Sequence, residues 1–447
     1  MFKSIKQLFI LIVIAVVIAF GIMILPKFEW SSPEVQFVNS TTDIGLKPFE
    51  IFVKDDGKGL KNVKVYLGDG KSEVLIVDKN YKPDIHKDKI LIDLDKKTGI
   101  KEGKVNLKVV ASDYSKFKFF RGNKTVIEKE FNLDLTPPSA NELSSVQYIT
   151  HGGSGFIIYK ASKDSVQSGV KVGPYFFPGY SGYFKDPTLY VCFFAYPYDL
   201  ENDEEIYLYA VDNAGNERSI PVHYNPLNAF YRESDIDISD KFITRKMLPL
   251  LEEDVPEYEN KLTEIFLKVN SKMRDENNRK IEEITKKSSD KRLWSGKFGQ
   301  LSNSKVEANF ADKRTYKTNG EEIDQQYHLG YDLSVTKKYP VEAANSGIVV
   351  FTGNIGIYGN TVIVDHGLGV MTLYSHLSSI SVKEGDEVEK GAILGRTGST
   401  GLAVGDHLHF GIYVNGVPVR PLEWWDPKWI NEKIESRIDL AKSEYGE

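Results

Sequence analysis

Residues Leu8 to Leu25 form one uncharged apolar run behind Lys3 and Lys6. Its length is close to the roughly 20 residues of a single membrane span and exceeds the roughly 7–15 apolar residues of a cleaved secretion signal. The pattern therefore predicts a transmembrane helix within residues 1–30. The two lysines hold the tip in the cytoplasm and send everything after Pro26 outside. Ala19-Phe20-Gly21 is a weak cleavage-site alternative; either way the rest of the chain lies beyond the cytoplasmic membrane.

After this run the hydrophobic period changes to two. Between 31 and 136, Phe49–Val53, Val63–Leu67, Val74–Val77, Ile90–Leu94, Val105–Ala111 and Val126–Phe131 are short alternating stretches. Asp56-Gly57, Gly68-Asp69-Gly70 and the segment ending at Gly99 punctuate them as turns. Six or seven strands of this kind suit an immunoglobulin-like β-sandwich, and Pro137-Pro138 reads as its boundary. Residues 137–228 read as a second such module, closing on the strand-and-turn stretch from Ile206 to Asn216. Its aromatic cluster (Phe176, Phe177, Tyr180, Tyr183, Phe184) is expected to be core and loop packing.

Between 229 and 292 the period becomes helical. Ser239-Asp240 caps a short helix that Pro249 ends, and Pro256 opens a second one carrying Leu262, Ile265, Phe266, Val269 and Met273 at three- and four-residue steps. This helical linker either buries its apolar face on the next domain or shields a groove there. From 293 to 430 the chain returns to short strands and glycine turns, and 431–447 reads as a tail. The fold class is mainly β and multidomain: a membrane anchor, two immunoglobulin-like modules, a helical linker and a C-terminal antiparallel β-sheet domain.

Composition narrows the chemistry. The net charge of −6, with no Lys/Arg block, gives no basis for nucleic-acid binding. Cys192 is the only cysteine, so there is no intrachain disulfide and no cysteine zinc site; its apolar neighbours mark it as a core thiol. Histidine is scarce, 8 in 447 residues, yet five of them fall in the C-terminal domain. His407-Leu408-His409 precedes β-forming residues, so both imidazoles face one side of a strand. They are two metal ligands, or one ligand beside a proton-transfer group. Upstream, His328 and Asp332 are four apart. One histidine and one carboxylate from there, with one histidine from the later pair, make a three-ligand site with an open fourth position, the arrangement of catalytic zinc. His376 lies between, in Tyr374-Ser375-His376-Leu377.

H-x(3)-D, Y-x-H-L and H-x-H in this order resemble the lysostaphin/LytM-type zinc metallopeptidases over about residues 300–425. The resemblance implies one Zn2+ per chain on His328, Asp332 and His409, with His376 and His407 as the catalytic pair. His366 and Tyr374 are candidates for the edge of a substrate groove. Phe310-Ala311-Asp312-Lys313-Arg314 is similar to the family's F-G-x-R entry, but Ala311 stands where glycine is frequent and Arg314 comes one residue late. The implied activity is hydrolysis of cross-link or stem peptides in peptidoglycan, with D-alanyl–diaminopimelate as the expected bond, by a membrane-anchored enzyme facing the periplasm. A regulatory envelope protein is a further candidate partner. The rival reading is a non-catalytic regulator of the same fold that activates a separate wall amidase. The helical linker raises a further expectation, autoinhibition, in which removal of residues 235–292 increases activity.

Overall fold

The structure, a computed structural model, describes residues 2–24, 31–38, 41–94, 99, 101–115, 122–144, 146–251, 261–318 and 320–445. Pro26, part of the turn before Gly99, and Pro256 lie outside the described residues. The chain is mainly β, with many sheets and few helices. It divides into two compact units, Met1–Pro138 with Val211–Glu217, and Ser139–Ala210 with Arg218–Glu447.

The apolar run falls on one helix, Phe2–Ile24. Its described side chains, including Phe9, Ile10 and Val17, are exposed. Among the described residues no helix is long and apolar enough to cross a membrane, so the structure does not support the expected span. In the rest of the first unit, Glu34–Phe37, Phe49–Lys54 and Lys87–Ile92 form a three-stranded sheet. Asp43–Ile44, Lys124–Leu133, Gly103–Asp113, Leu60–Gly68 and Glu73–Asn80 form a five-stranded one. Alternation along Phe49–Lys54 turns Phe49, Ile51 and Val53 inward, where they join Val63, Val65, Leu107 and Val109 in one core.

The second unit is organised around an eight-stranded antiparallel sheet. Its path runs Lys305–Ala308, Tyr331–Ser334, Leu408–Val414, Val370–Leu377, Gly359–Asp365, Gly347–Ile355, Glu387–Val388, with Val417–Val419 added beside Leu408–Val414. Val370–Leu377 and Leu408–Val414 are buried at every position. Such runs lack polar alternation because both faces are covered. On one face Tyr374, Phe410, Ile412 and Val414 share a core with Phe193, Trp294 and Trp424. On the other, Ile363, Met371, Leu373 and Tyr413 pack with Ile243, Met247, Ile265, Phe266, Val269 and Ile281 of the helical segment.

That segment is less regular than its sequence period predicts. Ser239 caps Asp240–Phe242, with its hydroxyl accepting from the Phe242 N–H. The chain then continues as a π-turn stretch, Ile243–Met247, and a 3-10 turn, Leu248–Leu250, that carries Pro249. Leu262–Leu267, Lys268–Met273 and Arg274–Thr285 complete the helices. The stretch expected as a tail is also helical, over Asn431–Glu435 and Ser436–Tyr445. Ile430, Ile434 and Ile438 recur at four-residue steps and are buried in the same core as Trp424, a signal of a packed helix rather than a tail.

Candidate active site

Strand register builds the site. Asp332 is paired directly with His409 across Tyr331–Ser334 and Leu408–Val414, and His409 is paired on its other side with Ser375. His328 precedes the first of these strands. It is tied down by backbone bonds, Ala311 N–H to His328 O at 2.7 Å and His328 N–H to Asp312 O at 3.1 Å. Gly330 clears the way for the ligand ring: a Cβ there would lie 2.7 Å from the His409 imidazole and 2.6 Å from Phe410 O.

Three lone-pair atoms converge. His328 Nε2, Asp332 Oδ1 and His409 Nδ1 are each 3.0 Å from the other two. His328 Nδ1 lies 2.8 Å from the Asn309 carbonyl, which needs a proton on Nδ1 and leaves Nε2 bare. The buried His409 Nε2 has no hydrogen-bond partner. Bare acceptors packed this closely repel unless a cation or proton lies among them. A tetrahedral zinc with bonds of about 2.0–2.1 Å separates its ligands by roughly 3.3 Å, so the donor set suits that ion in type and spacing. Burial alone would raise Asp332; without a metal, protons on the imidazoles of His328, His407 and His409 outweigh it and hold the carboxyl well below its usual range. Burial lowers His409 to about 4, the neutral form a metal ligand requires. Arg314 Nη2 lies 3.6 Å from Asp332 Oδ2.

Two further imidazoles face this group. His407 Nδ1 donates to Gly405 O at 2.9 Å, and its Nε2 is 3.5 Å from Asp332 Oδ1. His376 Nδ1 donates to Thr400 O at 2.9 Å, and its ring centre is 4.8 Å from that of His407. His376 reaches the site through a bulge. Asn360 pairs with Leu377 and Val362 with Tyr374, so one strand has an extra residue there, and His376 has φ of 62°. Bulges of this kind re-aim a side chain; here His376 leaves the face that Tyr374 occupies. Burial, with His407 and His409 nearby, pushes His376 down to about 3. All five groups line one cavity of about 710 Å³. Its other wall comes from Ile236 on the strand Glu233–Asp237 and from Phe242 and Met247 of the helical segment.

His366 and Tyr374 are not at a groove edge. Both are fully buried and neither lines this cavity. His366 Nδ1 donates to Ser346 O at 2.7 Å, and its Nε2 is 2.7 Å from the Thr372 hydroxyl. That hydroxyl is 2.9 Å from Tyr374 OH, which accepts from Ala344 N–H at 2.7 Å. These bonds satisfy the buried polar atoms of His366 and Tyr374, and burial lowers His366 to about 4. The alternation of strand Val370–Leu377 turns Thr372 and Tyr374 away from the site.

Sequence reasoning missed a support on the opposite side of His409. The Tyr358 ring lies 5.4 Å from the His409 ring. Its hydroxyl donates to Asn278 Oδ1 at 2.8 Å, and Asn277 Oδ1 accepts from Ile357 N–H at 2.8 Å. The helical segment thus pins the turn that backs a ligand histidine. Two adjacent asparagines on a helix were the one available signal.

Residues 326–421 match the model of Peptidase family M23, and the C-terminal region carries an M23 peptidase domain. The chain is 44% identical over 95 residues to the DD-carboxypeptidase/endopeptidase Mpg of Neisseria meningitidis serogroup B, covering 21% of this chain and 22% of the relative. It is 41% identical over 96 residues to the peptidoglycan DD-endopeptidase ShyA of Vibrio cholerae serotype O1, covering 22% of each. Among solved structures, the catalytic domain of the antimicrobial peptidase lysostaphin from Staphylococcus simulans aligns at 31% identity and a TM-score of 0.25, over 29% of this chain and 98% of that one. The matched stretch spans about a fifth of these two curated relatives.

Proposed function

We propose that this chain, a cell-wall peptidase by its M23 domain, is a zinc endopeptidase that hydrolyses cross-link or stem peptides of peptidoglycan. The observation that carries this is the convergence of His328, Asp332 and His409 on one point, 3.0 Å apart, in the wall of an open cavity that two further imidazoles also line. Zinc bound there supplies Lewis acidity, which polarises a carbonyl and acidifies a water. His376 and His407 each spend Nδ1–H on a backbone carbonyl and present Nε2 to the cavity. One Nε2 accepts a proton from the attacking water, and a protonated one returns it to the leaving amine, as general acid–base catalysis requires. Asn309 O fixes the His328 tautomer, and Tyr358 and Gly330 fix the His409 ring.

The relatives named as DD-endopeptidases support a bond of the D-alanyl–diaminopimelate type. The apolar run before Pro26 supports delivery beyond the cytoplasmic membrane, by anchor or by signal, where such a substrate lies. The test uses the full chain, loaded with zinc and incubated with purified peptidoglycan, with released fragments identified by mass spectrometry. New peptide ends that vanish with a chelator and with His407→Ala are expected. Zinc retained at one per chain with no new ends would refute the hydrolase reading and favour the regulator of a separate amidase.

A further inference from the structure

Arg274 lines the same cavity as the metal-ligand group and opens the helix Arg274–Thr285. Its Nε donates to Asn270 O at 2.9 Å and its Nη2 to Asn270 Oδ1 at 2.7 Å. Asn270 is itself 1% exposed and is held by Asp324, whose Oδ2 accepts from Asn270 Nδ2 at 2.7 Å and from the Ser271 hydroxyl at 2.9 Å. The guanidinium is thus fixed by two neutral oxygens that leave its charge intact. Among the described residues no carboxylate lies within ion-pair distance of it, whereas a half-buried arginine ordinarily finds one. Only two of its five N–H donors are spent in this way. Arg314, the second guanidinium of the cavity, has Asp332 as its ion-pair partner, and that carboxylate is a metal ligand in the reading above.

Among the described residues the cavity's other acids lie outside ion-pair distance of Arg274. Glu307 is bound to Lys305 and to the Ser334 hydroxyl. Asp406 accepts from the Thr397 hydroxyl and from Lys338 N–H, and Lys317, across from Asp237 in register, ion-pairs Asp235. The Arg274 guanidinium is therefore held in place with part of its planar fork available, and such a fork matches a carboxylate.

We propose that Arg274, assisted by Arg314, is a specificity-determining residue that binds a free carboxylate of the substrate peptide, so that the site selects acidic over amidated peptides. This rests on the peptidase reading. The test compares one cross-linked stem-peptide dimer with its carboxylates free against the same dimer with them amidated. Binding is read by calorimetry on the zinc-loaded full chain carrying His407→Ala, so that no turnover intervenes, and cleavage is read separately on the chain without that change. A charge-assisted pair of this kind favours the free acid by about ten- to a hundredfold. Arg274→Gln is expected to reduce that ratio to about twofold and Arg274→Lys to leave part of it, with zinc content and melting temperature followed in both. An undiminished acid-over-amide ratio in a folded, zinc-loaded Arg274→Gln chain overturns the proposal, as does failure of the parent chain to bind either peptide or to distinguish them. Absence of cleavage alongside acid-selective binding would count against the hydrolase reading alone.

Discussion

Removal of residues 235–292 is the natural test of whether the helical segment restrains the site, and the structure predicts loss rather than gain of activity. Ile243, Met247, Ile265, Phe266, Val269 and Ile281 are each at most 3% exposed and pack on Ile363, Met371, Leu373 and Tyr413 of the central sheet. Burying side chains of this size is worth about 1.5–3 kcal/mol each. The six together contribute roughly 9–18 kcal/mol, an upper estimate because unfolded chains are already partly collapsed. A whole domain is stable by only about 5–15 kcal/mol. The deleted chain also exposes the sheet face that the helices covered and loses Asn277 and Asn278, which hold the turn behind His409. The assay is a thermal melt by near-ultraviolet dichroism, with zinc content and peptidoglycan release measured on the same preparations. The expected result is loss of the second unit's cooperative transition, with that of the first unit retained, and no bound zinc. A milder version, Phe266→Ala, should cost about 3–5 kcal/mol and leave a folded but destabilised chain. A deletion variant that melts cooperatively, holds zinc and releases more peptide than the parent would refute this reasoning and restore the view of the segment as a detachable inhibitor.

Asn278→Ala removes the acceptor of the buried Tyr358 hydroxyl and should cost about 1–3 kcal/mol, read as a lower urea midpoint, while Asn278→Asp recovers most of it; equal midpoints for the alanine variant and the parent would count against the contact. Tyr374→Phe should lower stability by a similar amount, about 1–3 kcal/mol, because Ala344 N–H loses its acceptor, with KM unchanged; a raised KM at unchanged stability would return Tyr374 to the substrate groove. Glu423 is raised by burial to about 7, against the Ser154 N–H bond that lowers it. The folded chain therefore keeps this proton up to about pH 7 while the unfolded chain loses it near 4.5. Its contribution falls as pH rises across that window, by about 3 kcal/mol at roughly 1.4 kcal/mol per pH unit. Glu423→Gln should flatten that decline between about pH 4.5 and 7, and identical slopes of unfolding free energy in variant and parent would exclude Glu423 as its source.

What the sequence disclosed depended on the range of the interaction. His407 and His409 two apart, and His328 and Asp332 four apart, are local spacings, and strand register brings Asp332 against His409 at distance 77 in the chain. Short alternating stretches such as Phe49–Val53 were legible for the same reason. The misreadings came where a tertiary partner decides. His366 follows Asp365 in a strand-to-turn position that looks like surface, yet Phe298 packs on its ring at 4.9 Å and Ser346 accepts from it. The 431–447 stretch is short and charged, but its isoleucines at four-residue steps find the core around Trp424. Arg274 carries no motif at all; only its neutral partners, visible in three dimensions, distinguish it from an ordinary surface arginine. Ala311, where the family resemblance led one to look for glycine, has φ of 58°, so the backbone there retains the geometry that favours glycine although the residue has changed.

One wall of the cavity belongs to the shared core, and the orientation of the catalytic imidazoles is set by a different segment. The loop Ser399–Asp406 meets this description. Thr400 O holds the His376 Nδ1–H and Gly405 O holds the His407 Nδ1–H, so one short segment sets the orientation of both imidazoles. It is fastened at its ends, by the Thr400 hydroxyl to Leu377 O at 3.0 Å and by Asp406 to the Thr397 hydroxyl at 2.6 Å. Between those points Val404 lines the cavity while remaining 82% exposed. The residues before it are anchored, since Ala403 is 1% exposed, Leu402 packs on the core of the helical segment, and Leu402 N–H donates to Ile357 O at 2.8 Å. A change in this loop therefore reaches both imidazoles, and through Ile357 it also touches the turn that carries Tyr358 behind His409. The catalytic imidazoles are oriented by this loop and the metal ligands chiefly by Asn309 and sheet register, so a change at the exposed Val404 should alter turnover with little change in zinc affinity.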